Sequence, residues 1–391
     1  MKTLLVIFTV LDGWFAAETY ALAQSWTPTT APVLSWTGVA ASADGTKLIA
    51  VADDFPIGLI YISTDSGSTW TPANAPSHSW SAVASSADGS TLVAVGNEFP
   101  TGPIAVSTDS GSSWMETTAP ASDWTSVACS ADGNKLFAVS QAFPTGPIYT
   151  SSDSGNNWNP ANVPANGWTG VACSSDGIKL VAVALNNSAG PVYISSNSGG
   201  NWTQSQAPTR RWEAVASSTN GVILAAVSDI PQSIVVSTNS GGTWNPTTAP
   251  SQPWSAIAAS ADGRALVAVA NGGGIYRSTN SGGIWTDTDA PDLSWSSVAS
   301  SANGSILVAT ANGDGIYIWT TAPTPILSIL QSSESVTLCW PVSASGFNLQ
   351  QNNDLTTTNW LVVTNLPTIS NDSNQVAVSN SNNQMFFRLV R

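Results

Sequence analysis

The chain has 391 residues, with 24 acidic against 10 basic side chains, a formal charge of −14, one histidine, three cysteines and 18 tryptophans. Only 9% of residues are charged while 42% are apolar, and 31 Gly stand beside 23 Pro. This is too apolar for disorder and too punctuated by turn formers for a helical protein, so the class is all-β. The acidity argues against nucleic acid or an anionic membrane surface as partner, because no basic patch exists to neutralise phosphates. With His78 alone, a multi-histidine metal cage is excluded. No cofactor and no metal are expected.

In chain order, residues 1–23 open with Lys2, continue through the apolar run 4–10 and end in Ala21-Leu22-Ala23. That is the layout of a secretory signal peptide, although Asp12-Gly13 interrupts it. The chain is therefore expected to be secreted, whether extracellular, on the cell surface or periplasmic. Losing Lys2, Asp12 and Glu18 with the leader leaves 9 basic and 22 acidic groups, so the mature protein stays acidic. No later run approaches the ~20 apolar residues of a membrane helix, and no membrane span is expected.

Residues 24–323 repeat. A W-x-x-[VI]-A phrase opens at Trp36, Trp80, Trp124, Trp168, Trp212, Trp254 and Trp295, with spacings of 44, 44, 44, 44, 42 and 41. A period of about 40–45 residues with several short strands per unit predicts the blades of a seven-bladed β-propeller. In each unit an inner strand precedes Asp-Gly or Asn-Gly, as at Asp44-Gly45, which predicts a two-residue type I′ hairpin with positive φ at both positions. The last unit has only three strands. The N-terminal SWTPTTAP (25–32) copies a fourth strand and is expected to complete it, with Trp26 replacing a missing tryptophan.

The third hairpin of six units carries S-[ST]-[DN]-S-G-x-x-W, from STDSGSTW (63–70) to STNSGGIW (278–285). On this phrase the chain resembles the Asp-box (BNR) repeat proteins, whose members include sialidases, xyloglucanases, sortilin-type receptors and photosystem II assembly factors. It is similar to a secreted bacterial member. The resemblance covers residues 25–323 and implies a propeller whose boxes lie opposite the usual binding face. The box acids Asp65, Asp109 and Asp153 become Asn197, Asn239 and Asn280 in later copies. A turn that needs only a short side-chain oxygen tolerates that exchange; a general acid or a Ca²⁺ ligand does not. The boxes are therefore expected to be structural.

Function is expected on the other end, where the loops joining second to third strands meet the connections between blades. Three neighbouring loops, DDFPIGL, NEFPTGP and QAFPTGP, present Phe55, Phe99 and Phe143 with Asp53, Asp54 and Glu98. Two readings stand: an aromatic and acidic rim that contacts a protein or a carbohydrate, or phenylalanines packed beneath their own loops. The phrase tryptophans pose the same choice between sugar platforms and wedges between blades, and their regularity favours wedges. A site breaks symmetry, and the symmetry-breaking residues are Arg210, Arg211, Glu213, Arg264, Arg277, His78 and Glu116; Arg277 is expected to face solvent.

A sialidase site needs three converging arginines. Only six arginines exist, two of them near the C-terminus and two adjacent, so no triad can be assembled and catalysis is not expected. Paired-carboxylate glycosidase action by Asp53, Asp54, Glu98 or Asp229 remains the alternative. Cys129 and Cys173 hold equivalent repeat positions and are either two core thiols or an inter-strand bridge. Residues 324–391 read as short strands from ILSIL (326–330) to MFFRL (385–389), a small β-sandwich-like domain that serves either sorting and attachment or simple packing. The expected whole is a monomeric, non-catalytic secreted binding or scaffold protein.

Overall fold

The computed structural model describes residues 3–8, 17–19, 25–54, 58–98, 101–142, 146–186, 189–230, 232–320, 327–331, 335–341, 348–352, 359–370, 373–379 and 386–390. All the described elements are strands, and they fall into two compact units, Ser25–Thr320 and the pair of segments Met1–Gln24 with Thr321–Arg391.

In the larger unit each phrase tryptophan lies at the start of an inner strand, and each inner strand leads an antiparallel meander. The second meander runs Trp80–Ser85, Leu92–Gly96, Ile104–Ser107 and Met115–Glu116. The second strands, such as Leu48–Ala52, Leu92–Gly96 and Leu136–Ser140, are buried at every position. They read as continuous apolar runs, not alternations, because a neighbouring sheet covers both faces. The outermost strands are two exposed residues long and often end in proline, as at Thr71–Pro72 and Asn159–Pro160. Brevity and a missing N–H blunt these edges against further pairing.

The phrase tryptophans are wedges. Six are 0% exposed and Trp295 is 1%. Trp36, for example, packs among Leu48, Ala50 and Ala52 of its own sheet and Val308, Ile316 and Ile318 of another, edge-on to Tyr61 with ring centroids 5.5 Å apart.

The sheets close into a ring. Each inner strand packs on the next, and Leu293–Ser300 returns to Leu34–Ala41. One circuit of backbone hydrogen bonds follows the same path: Ala43 N–H donates to Ala87, Ala87 to Ala131, Ala131 to Ser175, Ser175 to Thr219, Thr219 to Ala261, Ala261 to Ala302, and Ala302 back to Ala43, all at 2.7–2.9 Å. The closing sheet is completed from the N-terminal side, as the sequence predicts. Thr27 and Pro28 pair with Ile318 and Tyr317, and Trp26 stands 6.2 Å from Trp295 while donating to Thr288 Oγ1 at 2.8 Å.

The same circuit sets the form of the Asp-Gly loops. The Asp-Gly loops are not two-residue type I′ turns: only the glycine has positive φ (Gly45, +74°), and Ser42 N–H reaches across to Lys47 O, so four residues lie in the loop. The longer loop frees the Ala43 N–H and C=O to bond the adjacent sheets, which a two-residue turn would forbid.

The smaller unit has two antiparallel sheets. In one, Ser328–Gln331, Ser335–Pro341, Ser373–Ser379 and Thr368–Ser370 lie side by side. In the other, Thr3–Phe8 lies beside Phe386–Val390, with Leu4 opposite Leu389 and Val6 opposite Phe387. A short apolar run satisfies the pattern of a leader and that of a strand equally well. Leu338, Trp340, Leu349, Val376 and Phe387 are buried here.

Candidate functional site: the loop end of the ring

The two ends of the ring differ in chemistry. At the box end the six copies repeat a core of three bonds, serine hydroxyl to box oxygen, glycine N–H to serine and the fourth following N–H to box oxygen, and differ only at the second box atom. Ser63 Oγ accepts from Gly67 N–H and donates to Asp65 Oδ1, while Asp65 Oδ1 accepts from Thr69 N–H at 2.9 Å and Oδ2 from the Thr69 hydroxyl at 2.7 Å. In the amide versions Asn197 and Asn280 accept the same backbone N–H, from Asn201 and Ile284, at 2.8 Å. The hydroxyl and amide donors hold Asp65 and Asp153 below the usual carboxylate range and Asp109 down to about 2. The serine between box acid and glycine is left-handed in all six copies, from Ser66 (φ +56°) to Ser281 (φ +54°), so the strain of a non-glycine at positive φ is met six times over. Near the axis at this end a cavity of about 190 Å³ is lined by Ala, Ser and Thr219 with Cys129 and Cys173. The two thiols are unbridged; Cys173 donates to the Cys129 carbonyl at 3.3 Å, and burial pushes Cys173 up to about 12.

Arg277 belongs to this end and does not face solvent as expected. Its guanidinium lies 4.8 Å from the Trp319 ring centre and donates to Gly304 O at 3.3 Å. The closing unit lacks an Asp box and places Trp319, 2% exposed, where the other third strands end in serine; that apolar surface recruits the arginine.

At the loop end the bonds differ from unit to unit. Asp54 accepts Ser35 N–H through both carboxylate oxygens at 3.2 Å, and Glu98 accepts Ser79 N–H at 2.9 Å. Asn186 does the same for Gly167 N–H at 3.0 Å. Their shared task is to cap the start of an inner strand, and the sequence signal is an acceptor at one fixed loop position. Asp53 bonds the Ser79 hydroxyl. Phe55, Phe99 and Phe143 lie outside the described residues.

Two clusters stand out. In the first, His78 Nδ1 sits 2.7 Å from Glu98 Oε1 and Nε2 2.9 Å from Glu116 Oε1, with the ring edge-on to Trp80. Burial opposes the imidazolium, yet the Glu116 and Glu98 carboxylates outweigh it and raise the histidine pKa. The second belongs to the fifth unit. Arg210 Nη1 donates to Ser233 Oγ at 2.9 Å, Arg211 Nε donates to Asp229 Oδ1 at 3.1 Å, and the half-buried Glu213 carboxyl lies within hydrogen-bonding reach of Asp229. The adjacent arginines thus diverge, one to a hydroxyl and one to a carboxylate.

Among the described residues no group of three or more His, Cys, Asp or Glu side chains suits a metal ion, and no helix is long and apolar enough to cross a membrane. No protein-family model matches the chain, and no curated protein sequence does either. Solved structures do match in shape. YCF48 from Cyanidioschyzon merolae superposes with a TM-score of 0.58 at 16% identity, over 76% of this chain and 98% of that one. A structure of YCF48 bound to D1 peptide gives 0.57 at 16% identity, over 80% and 97%. The fold is that of a β-propeller. At this identity the likeness is one of fold alone, and the loop-end residues carry the question of function.

Proposed function

We propose that this chain is a non-catalytic, seven-bladed Asp-box propeller that binds a protein partner through its loop end. The observation that carries the reading is that most departures from the repeat, His78, Glu116, Arg210, Arg211 and Glu213, stand at that end, while the six boxes repeat the same core bonds and the box end departs only at Arg264 and at the Arg277–Trp319 contact of the closing unit. A repeat scaffold with one variable rim is the arrangement in which loops bind and strands support. The charge distribution supports a cationic partner segment. Of seven cationic side chains in the ring, Lys47, Lys135, Lys179, Arg264 and Arg277 stand at the box end and only Arg210 and Arg211 at the loop end. Asp53, Asp54, Asp289 and Asp292 are among the loop-end acids, and Glu98 and Glu116 there share the single His78 between two carboxylates. That a propeller of this fold is known bound to a peptide is consistent with the reading. Export by residues 1–23, a monomeric state, and a C-terminal β-sandwich-like module are parts of the same proposal.

The test is surface plasmon resonance on the immobilised chain with lysine-rich peptides, glutamate-rich peptides and a glycan panel. The expected result is binding of the cationic peptides alone, weakened by salt and by the triple substitution Asp53→Asn, Asp289→Asn and Asp292→Asn. Binding confined to glycans refutes the protein-partner reading. Hydrolysis of chromogenic glycosides that is lost in Asp229→Asn refutes the non-catalytic one.

A further inference from the structure

The residue after each phrase tryptophan is Thr37, Ser81, Thr125, Thr169, Glu213, Ser255 or Ser296. Five of these hydroxyls donate to the carbonyl of the next unit's phrase tryptophan: Thr37 to Trp80, Ser81 to Trp124, Thr125 to Trp168 and Ser255 to Trp295 at 2.7 Å, and Thr169 to Trp212 at 2.8 Å. Ser296 bonds Thr310 in its own unit. Only the fifth unit replaces the hydroxyl with a carboxyl. Its inner strand, Arg211–Ser217, is also the one with two register shifts, at Arg211/Trp212 and Trp212/Ala214; the other six have a single shift after the tryptophan. The substitution and the distortion coincide.

The surroundings of Glu213 are sparse in charge. The strands packed against its own are Trp168–Cys173, Leu180–Ala184, Leu224–Ile230 and Trp254–Ala259. Among them the only charged side chain is Asp229, and the only titratable one besides is the Cys173 thiol at the far end of its strand. On its own strand Arg211 faces the pair through Asp229, and Arg210, just before it, is turned to Ser233.

We propose that Glu213, Asp229 and Arg211 form a proton-operated latch that regulates the loop end of the fifth unit. With its proton, Glu213 donates its O–H to the Asp229 carboxylate, Arg211 holds the same carboxylate from the other side, and the trio is neutral overall. When Glu213 gives its proton to solvent, two carboxylates share one guanidinium and the trio carries −1. The doubly shifted strand start then parts, and Glu213 turns towards water. Burial, reinforced by the Asp229 charge and opposed by Arg211, lifts the Glu213 carboxyl to about 7, so the change falls near neutral pH. As a regulator of partner binding, the latch rests on the loop-end reading above; as a titrating unit it does not.

The chain has only five glutamates, so carboxyl ¹³C labelling of glutamate in the full-length protein gives few resonances, and Glu213→Gln assigns the one of interest. Glu213 is expected to titrate near pH 7. Asp229→Asn is expected to lower that midpoint by at least one pH unit (~10-fold in proton affinity), and Arg211→Gln to raise it. A Glu213 midpoint below about pH 5, near the ordinary glutamate value, overturns the latch, and so does a midpoint unmoved by Asp229→Asn in a variant whose other resonances are native. If Glu213 titrates as expected but cationic-peptide affinity has the same pH profile in wild type and Glu213→Gln, the regulatory part is overturned. Absence of any peptide binding refutes the proposed function and leaves the titration result standing.

Discussion

The box end and the loop end are built on the same strands, yet one is uniform and the other is not. At the box end a charged residue is useful only as a hydrogen-bond acceptor, so Asp and Asn exchange freely between copies, as Asp65 and Asn197 show. At the loop end the equivalent acceptors are Asp54, Glu98 and Asn186, but what surrounds them differs: His78 and Glu116 stand beside Glu98 only, and the fifth unit instead carries Asp229 with Arg211. The comparison teaches that an acceptor role alone does not mark a site. Charged groups left over after the backbone has been satisfied do.

The largest effect expected from breaking this picture lies at the closure, on which both ends depend. Trp26→Ala removes a buried indole, its bond to Thr288 and its contact with Trp295. It should cost about 3–5 kcal/mol in denaturant unfolding, the usual range for a buried tryptophan cut to alanine. A loss below about 1 kcal/mol would mean that the ring does not depend on its N-terminal strand for closure.

A smaller, pH-dependent effect separates the ends. The raised pKa of His78 means that its contribution to stability is fully present below the unfolded value near 6.5 and is lost as pH rises through the folded value. The stability gap between wild type and His78→Gln should therefore be widest at about pH 6 and close by about pH 9; a gap of equal size at both would show a neutral histidine.

The smallest effect is expected at the boxes. Asp109→Asn should leave the Tm at neutral pH nearly unchanged, because the chain itself uses Asn at three boxes, whereas Asp109→Ala should lower it. With its carboxyl held at about 2, Asp109 contributes above its ordinary pKa and loses that contribution as pH falls towards 2. The Asn variant should lack this acid-side loss, and neither variant should change loop-end binding.

Much of the ring was legible in the sequence because its signals are local and repeated. The 41–44-residue period, the glycines at turns and the wholly apolar second strands each report on structure within one unit or between neighbours. Three readings required the fold. The type I′ expectation missed the longer loop because the deciding bond, Ala43 to Ala87, joins two units. Arg277 was expected in water because its recruiter, Trp319, lies 42 residues on and owes its position to the absence of a box. The choice between tryptophan wedges and sugar platforms was open until both flanking sheets were in place.

By itself the sequence determined the all-β class, the period, the turn positions and the structural role of the boxes, since each of these follows from steric and hydrogen-bonding rules that act over a few residues. Tertiary structure alone decided that Glu98 and Glu116 converge on His78 and that Glu213 meets Asp229. These depend on through-space distances between strands and loops separated by 16 to 38 residues, and electrostatic coupling is set by such distances and by burial, not by order along the chain.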